Sequence, residues 1–197
     1  MKHNGFEYVD LGLPSGTKWA TCNVGANSET DNGLYFPCGG IVGLDSPYYE
    51  DNFDSHKLKY NGGKKATLHL DNDAAHIHMG GKWHMPTMEQ FEELLDEKNT
   101  VSTWIYDYCI REVSGRLFRS RINDETLFIP ANGFIGSNHQ HVQNGQTCSL
   151  WTSSLDFSSV NNYTDFFCDK YNTYLARTSA YYICFGIRGV FNTFWMK

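Results

Sequence analysis

The sequence is poor in charged residues, has few prolines and contains no long apolar segment. Asp, Glu, Lys and Arg make up 19% of the 197 residues and hydrophobic residues 41%, a balance that excludes a disordered chain or a coiled coil. No apolar run approaches the roughly 20 residues that a helix needs to cross a bilayer, so no membrane insertion is expected. The net charge of −6 argues against nucleic-acid binding, which needs clustered Lys and Arg.

Motifs of known catalytic chemistry are also missing. The sequence has no G-x-S-x-G nucleophile elbow, no G-x-G-x-x-G and no phosphate loop. His76 and His78 would point about 200° apart on a helix and could not share one ion, and His139-Gln140-His141 has no acidic or Cys ligand beside it. We therefore expect no catalytic residue, no metal ligand and no cofactor. Weakly bound calcium stays open at the oxygen-rich segments 45–54 and 71–73.

Six cysteines occur, at positions 22, 38, 109, 148, 168 and 184, without a C-x-x-C pair. A chain of this length can bury a core without disulfides, and Cys109, Cys168 and Cys184 lie in apolar stretches. We therefore expect buried free thiols, with disulfides as the alternative. The first residues after Lys2 lack the hydrophobic segment of a signal peptide, which together with the thiols favours folding in a reducing cytosol.

Two helices are predicted in the middle of the chain. The shorter spans Ala74–Met79. The longer spans about 87–98 and starts with a T-x-x-Q capping box, formed by Thr87 and Gln90.

The rest of the chain is typical of strands and tight turns, with 18 glycines and 15% aromatic residues. The predicted strands are 6–9, 17–22, 34–37, 117–121, 126–130, 149–153, 163–168, 172–177 and 181–190. Residues 45–65 are rich in turn-forming residues and are expected to form a variable surface loop. Strands, then two helices, then a strand-rich half predict a single α+β domain over residues 1–197.

Residues 156–182 concentrate Tyr, Asn, Ser and Asp. Binding surfaces favour this composition, although strands and turns favour it as well. Because side chains alternate along a strand, six of these residues are expected to share one exposed face of a hairpin. The predicted ligand-binding residues are Tyr163, Asp165, Tyr171, Asn172, Tyr174 and Tyr182. If the tyrosines are core residues instead, the binding face lies in the 45–65 loop.

Six segments, in order along the chain, resemble one protein family. They are 8–26 (YVDLGLPSGTKWATCNVGA), 73–75 with 80–87 (DAA and GGKWHMPT), 91–95 (FEELL), 127–134 (LFIPANGF), 150–154 (LWTSS) and 185–190 (FGIRGV). Over about residues 6–190 they resemble the Fibrobacter succinogenes major paralogous domain, which is common in surface proteins of Bacteroidetes and in phages of these bacteria. His84 departs from the family pattern, which usually has Arg, and Gly189 replaces its closing Pro.

The resemblance implies a C-type-lectin-like fold, with two helices plus twisted antiparallel sheets, and a role in recognition or adhesion rather than catalysis. The calcium-binding triplets of sugar-binding C-type lectins do not occur in the sequence. We expect a phage virion protein, a fibre or capsid-decoration component, made in the host cytosol and exposed on the virion surface. Its expected partners are a host-surface glycan or protein receptor and other virion proteins, with a homo-oligomer left open. The alternatives are a bacterial cell-surface adhesin or lipoprotein domain and an enzyme on a related fold.

Overall fold

The computed structural model describes residues 1–44, 58–62, 65–110, 112–136, 140–156, 162–179 and 183–192. Strands account for 49% of the structure and helices for 10%. The predicted α+β, C-type-lectin-like fold is therefore wrong, because the chain forms a mostly β, all-β-like fold. The two α-helices have only six and eight residues, whereas a single hairpin between 100 and 120 has strands of nine and eight residues.

The described residues contain sixteen strands and two α-helices. In chain order they are β1 (Lys2–His3), β2 (Phe6–Val9), β3 (Thr17–Asn23), β4 (Phe36–Pro37), β5 (Tyr60–Gly62), β6 (Lys65–Leu68), α1 (Ala74–Met79), α2 (Met88–Leu95), β7 (Thr100–Tyr108), β8 (Val113–Ser120), β9 (Thr126–Pro130), β10 (Phe134–Ile135), β11 (His141–Val142), β12 (Cys148–Asp156), β13 (Asn162–Cys168), β14 (Thr173–Ser179), β15 (Cys184–Phe185) and β16 (Arg188–Asn192). A single 3-10 turn, Leu70–Asn72, precedes α1.

The strands form four sheets in which every strand pair is antiparallel. The largest has the order β14-β13-β12-β6-β5, and the others are β7-β8-β9, β1-β2-β3-β16 and β11-β10-β15-β4. The first and last described strands thus lie in one sheet, where β3 pairs with both β2 and β16. Of the surface loop expected over 45–65, the described part includes β5, which forms an edge of the five-stranded sheet; 45–57 and 63–64 lie outside the described residues.

Strand β7 is not among the predicted strands, although it is rich in β-branched and aromatic residues. Its pairing with β8 shifts register between Ile105 and Tyr108. Before that point, Thr100 is buried and Val101 is exposed, so the strand lacks the apolar-in, polar-out alternation by which a strand is recognised in a sequence. The predicted strand 181–190 differs in another way, since its described part divides into β15 and β16.

Helix α2 begins as the capping box predicts. The Thr87 hydroxyl accepts a hydrogen bond from the Gln90 amide at 3.3 Å, and the Gln90 side chain accepts one from the Thr87 amide at 2.9 Å. The helix ends at Leu95, earlier than predicted. Beyond it, the Asn99 side chain donates to the Glu93 carbonyl at 2.8 Å and so satisfies one of the acceptors that the helix end leaves open.

Replacing Thr87 with alanine is expected to lower the free energy of unfolding by about 1 kcal/mol, because the amide of Gln90 loses its acceptor. For a chain of this size the melting temperature should fall by roughly 2–4 °C. Thermal unfolding followed by circular dichroism measures the change. An unchanged melting temperature would show that the capping bond contributes nothing.

Two apolar clusters fill the interior on opposite faces of the five-stranded sheet. One contains Trp83 and Trp151; the other contains Phe91 of α2 and Phe166 of β13, whose rings stack at 4.8 Å. Strand alternation therefore directs Phe166 toward α2 and its neighbour Asp165 toward the opposite cluster. No helix in the described ranges is long and apolar enough to cross a membrane.

All six cysteines are free thiols in the structure. Cys168 and Cys184 are buried, as their apolar surroundings in the sequence predict. Cys109 is exposed, so its predicted burial is wrong. It follows the last residue of β7, at the turn that ends the hairpin, and has a left-handed backbone conformation with φ of 56°. A residue at such a turn projects from the sheet, so its side chain is exposed.

Candidate functional site

The hairpin of β13 and β14 carries most of the residues that the sequence singles out. The two strands pair without a register shift from Asn162 opposite Ser179 to Cys168 opposite Thr173. The chain reverses over residues 169–172, between β13 and β14. Because the register is continuous, the position of each side chain along the hairpin is fixed relative to the turn.

The turn is held by hydrogen bonds on both of its sides. Asp169 Oδ1 accepts from the amides of Tyr171 at 2.7 Å and Asn172 at 2.6 Å, the arrangement of an Asx turn. From the three-stranded sheet, the Arg116 guanidinium donates to the carbonyls of Asp169 at 2.5 Å and Asn172 at 3.4 Å. Burial acts to raise the pKa of Asp169, but the amides of Asn172 and Tyr171 outweigh it and lower that pKa. The turn is therefore fixed in one conformation rather than left as a loose loop.

Three of the six predicted site residues lie together at this end of the hairpin. The side chain of Tyr171 is 78% exposed and that of Tyr174 46%, and Asn172 is exposed between them. The Lys170 ammonium lies 4.5 Å from the centre of the Tyr171 ring. We call Lys170, Tyr171, Asn172 and Tyr174 the tip surface. The ring of Tyr174 packs against that of Phe167 on the neighbouring strand, with the ring centres 5.1 Å apart.

Tyr106 of β7 is a neighbour of the tip surface that sequence reasoning missed. It is 65% exposed. The pKa of Lys170 is raised, chiefly by its contact with Tyr171 and to a smaller extent by Tyr106 and Asp169. Tyr106 lies outside residues 156–182, in the sheet whose Arg116 donates hydrogen bonds to the turn. The one signal in the sequence is an aromatic residue within a segment rich in β-branched and aromatic residues.

Asp165 is buried, and the expectation that it lies on an exposed face is wrong. Only 2% of the residue is accessible to solvent, and its direct neighbours across the sheet are Trp151 and Ala176. The Thr178 hydroxyl donates to its Oδ1 at 2.7 Å, and burial raises the pKa of its carboxyl to about 6. The alternation of side chains is as predicted, but the face that Asp165 shares with Trp151 is covered by another layer of the core.

Tyr163 is half-buried, and its predicted exposure is wrong for the same reason. Its ring lies 6.3 Å from that of Trp151 and packs against the same apolar cluster. Tyr174 of the tip surface is paired with Phe167, which lies four residues from Tyr163 along β13, or about 13 Å. One small ligand could not contact both Tyr163 and the tip surface. The remaining predicted residue, Tyr182, lies outside the described residues.

The acidic segment 71–73, considered above for calcium, makes structural contacts. The Asp71 carboxylate pairs with Lys59 Nζ at 2.6 Å. The Asp73 carboxylate accepts from the amides of His76 and Met85, each at 2.8 Å, and so caps α1. Within the described ranges, no three His, Cys, Asp or Glu side chains are grouped so that they could hold a metal ion.

Comparisons of the chain with protein-family models, with curated proteins and with solved structures found no match.

Proposed function

We propose that the chain is a non-enzymatic recognition module whose tip surface contacts a glycan or protein receptor on a cell surface. The observation that carries the proposal is the placement of Tyr171, an aromatic residue that is 78% exposed at the apex of a turn fixed by its own hydrogen bonds. Exposed apolar area indicates a contact site where it forms a patch, and Tyr171 shares its end of the hairpin with the exposed Tyr174.

The rigidity of the turn favours binding. An exposed aromatic side chain on a fixed backbone loses little conformational freedom when a ligand covers it, so less of the interaction energy is spent on ordering. The Asx turn and the two bonds from Arg116 supply this rigidity before any ligand arrives. Tyr171 also keeps a hydroxyl group that can hydrogen bond at the edge of the contact.

A position on the surface of a phage particle is the setting that the sequence resemblance favours. A fibre or capsid-decoration protein contacts the host from outside, and its recognition residues must be exposed on the particle. A domain of a bacterial surface adhesin would use the tip surface in the same way. Immunolabelling of purified phage particles and of intact bacterial cells distinguishes the two settings.

The double variant Tyr171→Ala with Tyr174→Ala is expected to bind at least about tenfold more weakly, since truncation of aromatic residues at the centre of an interface has effects of this size. Binding is measured with labelled protein on an array of bacterial surface glycans and on intact Bacteroidetes cells. Because both residues are exposed, the melting temperature should change by less than about 2 °C.

Tyr60→Ala is the matched control. Tyr60 is 50% exposed and lies on β5, at the opposite edge of the same sheet. Its variant should bind like the original protein. Undiminished binding by the double variant, or an equal loss in Tyr60→Ala, would contradict the role of the tip surface.

A further inference from the structure

A concave site lies on the face of the five-stranded sheet that packs against α2. It is a cleft of about 120 Å³ between that face and the first turn of α2. Four adjacent strands contribute polar side chains to it, and two residues of α2 close it. The lining residues that carry the argument are Thr67, Ser154, Asp156, Thr164, Arg177 and Glu89.

A charged pair spans the cleft. Asp156 Oδ2 of β12 lies 2.8 Å from a terminal guanidinium nitrogen of Arg177 on β14, so the pair bridges the strand between them. The Asp156 side chain is 15% exposed and that of Arg177 is 59% exposed. A guanidinium carries five N–H donors in a rigid plane, so a single contact with Asp156 leaves several of them for a ligand.

The walls of the cleft are fixed by hydrogen bonds of their own. The Ser154 hydroxyl accepts from the Met88 amide at 2.9 Å and so joins the start of α2 to β12. The Thr164 hydroxyl donates to the Ser154 carbonyl at 2.9 Å and joins β13 to β12. A ligand would therefore enter a site whose shape exists before binding, which lowers the cost of association.

The charges and the size of the cleft restrict the ligand. Two carboxylates, of Asp156 and Glu89, and one guanidinium line the cleft, so its side chains carry a net negative charge that disfavours an anion. Carboxylates only accept hydrogen bonds and guanidinium groups only donate them, whereas a hydroxyl group does both. The volume of about 120 Å³ excludes an extended ligand, and the exposed Arg177 side chain leaves the cleft open, so that one ring can lie partly inside it.

We infer that this cleft binds a single neutral sugar ring, with Asp156 and Glu89 accepting from its hydroxyl groups and Arg177 donating to them. The apolar side chain of Met88 also lines the cleft and can cover part of the C–H face of the ring. The inference deepens the proposed recognition function, on which it depends for a glycan as the ligand. It adds a site distinct from the tip surface, because Arg177 lies on the face of β14 opposite to that of Tyr174.

The test titrates the ¹⁵N-labelled protein with free glucose, galactose, mannose, N-acetylglucosamine and fucose at millimolar concentrations. At least one sugar should shift the backbone amide signals of Ser154, Asp156 and Arg177. Arg177→Met should weaken that binding by roughly tenfold, because it removes the donors while keeping most of the side-chain length. Glu89→Gln, at an exposed helix position, should weaken it several-fold without affecting the fold.

Arg119→Met is the matched control, since Arg119 is 57% exposed and its nearest carboxylate, of Asp124, is 4.0 Å away. It should bind sugar like the original protein. The inference is overturned if no sugar shifts these signals, if sodium acetate shifts them and the sugars do not, or if both arginine variants lose binding equally. The double variant Tyr171→Ala with Tyr174→Ala should still show the sugar-induced signal shifts while it no longer binds the array. Such a result would assign the two binding events to separate sites. A failure of the proposed function therefore remains distinguishable from a failure of the cleft.

Discussion

Replacing Arg188 with methionine is expected to lower the free energy of unfolding by about 3–5 kcal/mol. Arg188 is fully buried. Its Nε donates to Asn23 Oδ1 at 2.9 Å, and its terminal nitrogens donate to the carbonyls of Ala20 at 3.1 Å, Thr21, and Phe128 at 3.2 Å. The guanidinium thereby links β16 to β3 within one sheet and to β9 of another.

The size of the effect follows from what the substitution leaves behind. Methionine fills much of the volume but donates no hydrogen bond, so several buried oxygens lose their partner, and each such loss costs about 1–3 kcal/mol. Part of this cost is returned because a buried charge is removed. Burial lowers the pKa of Arg188 to about 10, so the guanidinium remains charged at neutral pH.

Urea denaturation at neutral pH measures the difference, with Arg119→Met as the control. Arg119 is 57% exposed on β8, and its replacement should change the free energy of unfolding by less than about 0.5 kcal/mol. Similar losses in both variants would contradict the prediction, because they would show that the buried hydrogen bonds of Arg188 do not account for the loss of stability. A changed m-value would indicate a different denatured or native state rather than a simple loss of bonds.

Local features of the fold are predictable from the sequence because their causes are local. The bounds of β2, β9 and α1 agree with the prediction, and α2 begins at its capping box. Each of these depends on residues within about one turn or one strand. Strand β7 is missed because Thr100 is buried and Val101 is exposed, the reverse of the usual alternation. The predicted helical content is too high because a capping box shows where a helix begins but not where it ends.

Exposure depends on packing between distant segments, and this separates the predicted site residues that are exposed from those that are not. Tyr171 and Asn172 lie at a turn, which projects from a sheet whatever packs against its faces. Asp165 and Tyr163 lie within a strand, where exposure depends on whether another layer covers that face. Arg188 shows the opposite case, because an arginine in a sequence is usually read as a surface residue.

Replacing Asp165 with asparagine is expected to stabilise the protein at neutral and alkaline pH and to have little effect on stability in acid. The carboxyl is 2% exposed, and burial raises its pKa from 3.8 to about 6. Between these two values the folded state binds more protons than the unfolded state, so stability falls as the pH rises through this window. The full penalty is about 3 kcal/mol, reached above pH 6.

The amide of asparagine has nearly the same shape, can still accept from the Thr178 hydroxyl and does not ionise, so the variant lacks this penalty. The difference in unfolding free energy between variant and original should be close to zero near pH 4 and grow to about 3 kcal/mol near pH 8. Urea denaturation across this range measures it, with Asp124→Asn, whose side chain is 86% exposed, as the control. A difference that does not change with pH would show that Asp165 titrates as an exposed carboxyl does. Because Asp165 is buried in the core, glycan binding by the same variant should equal that of the original protein.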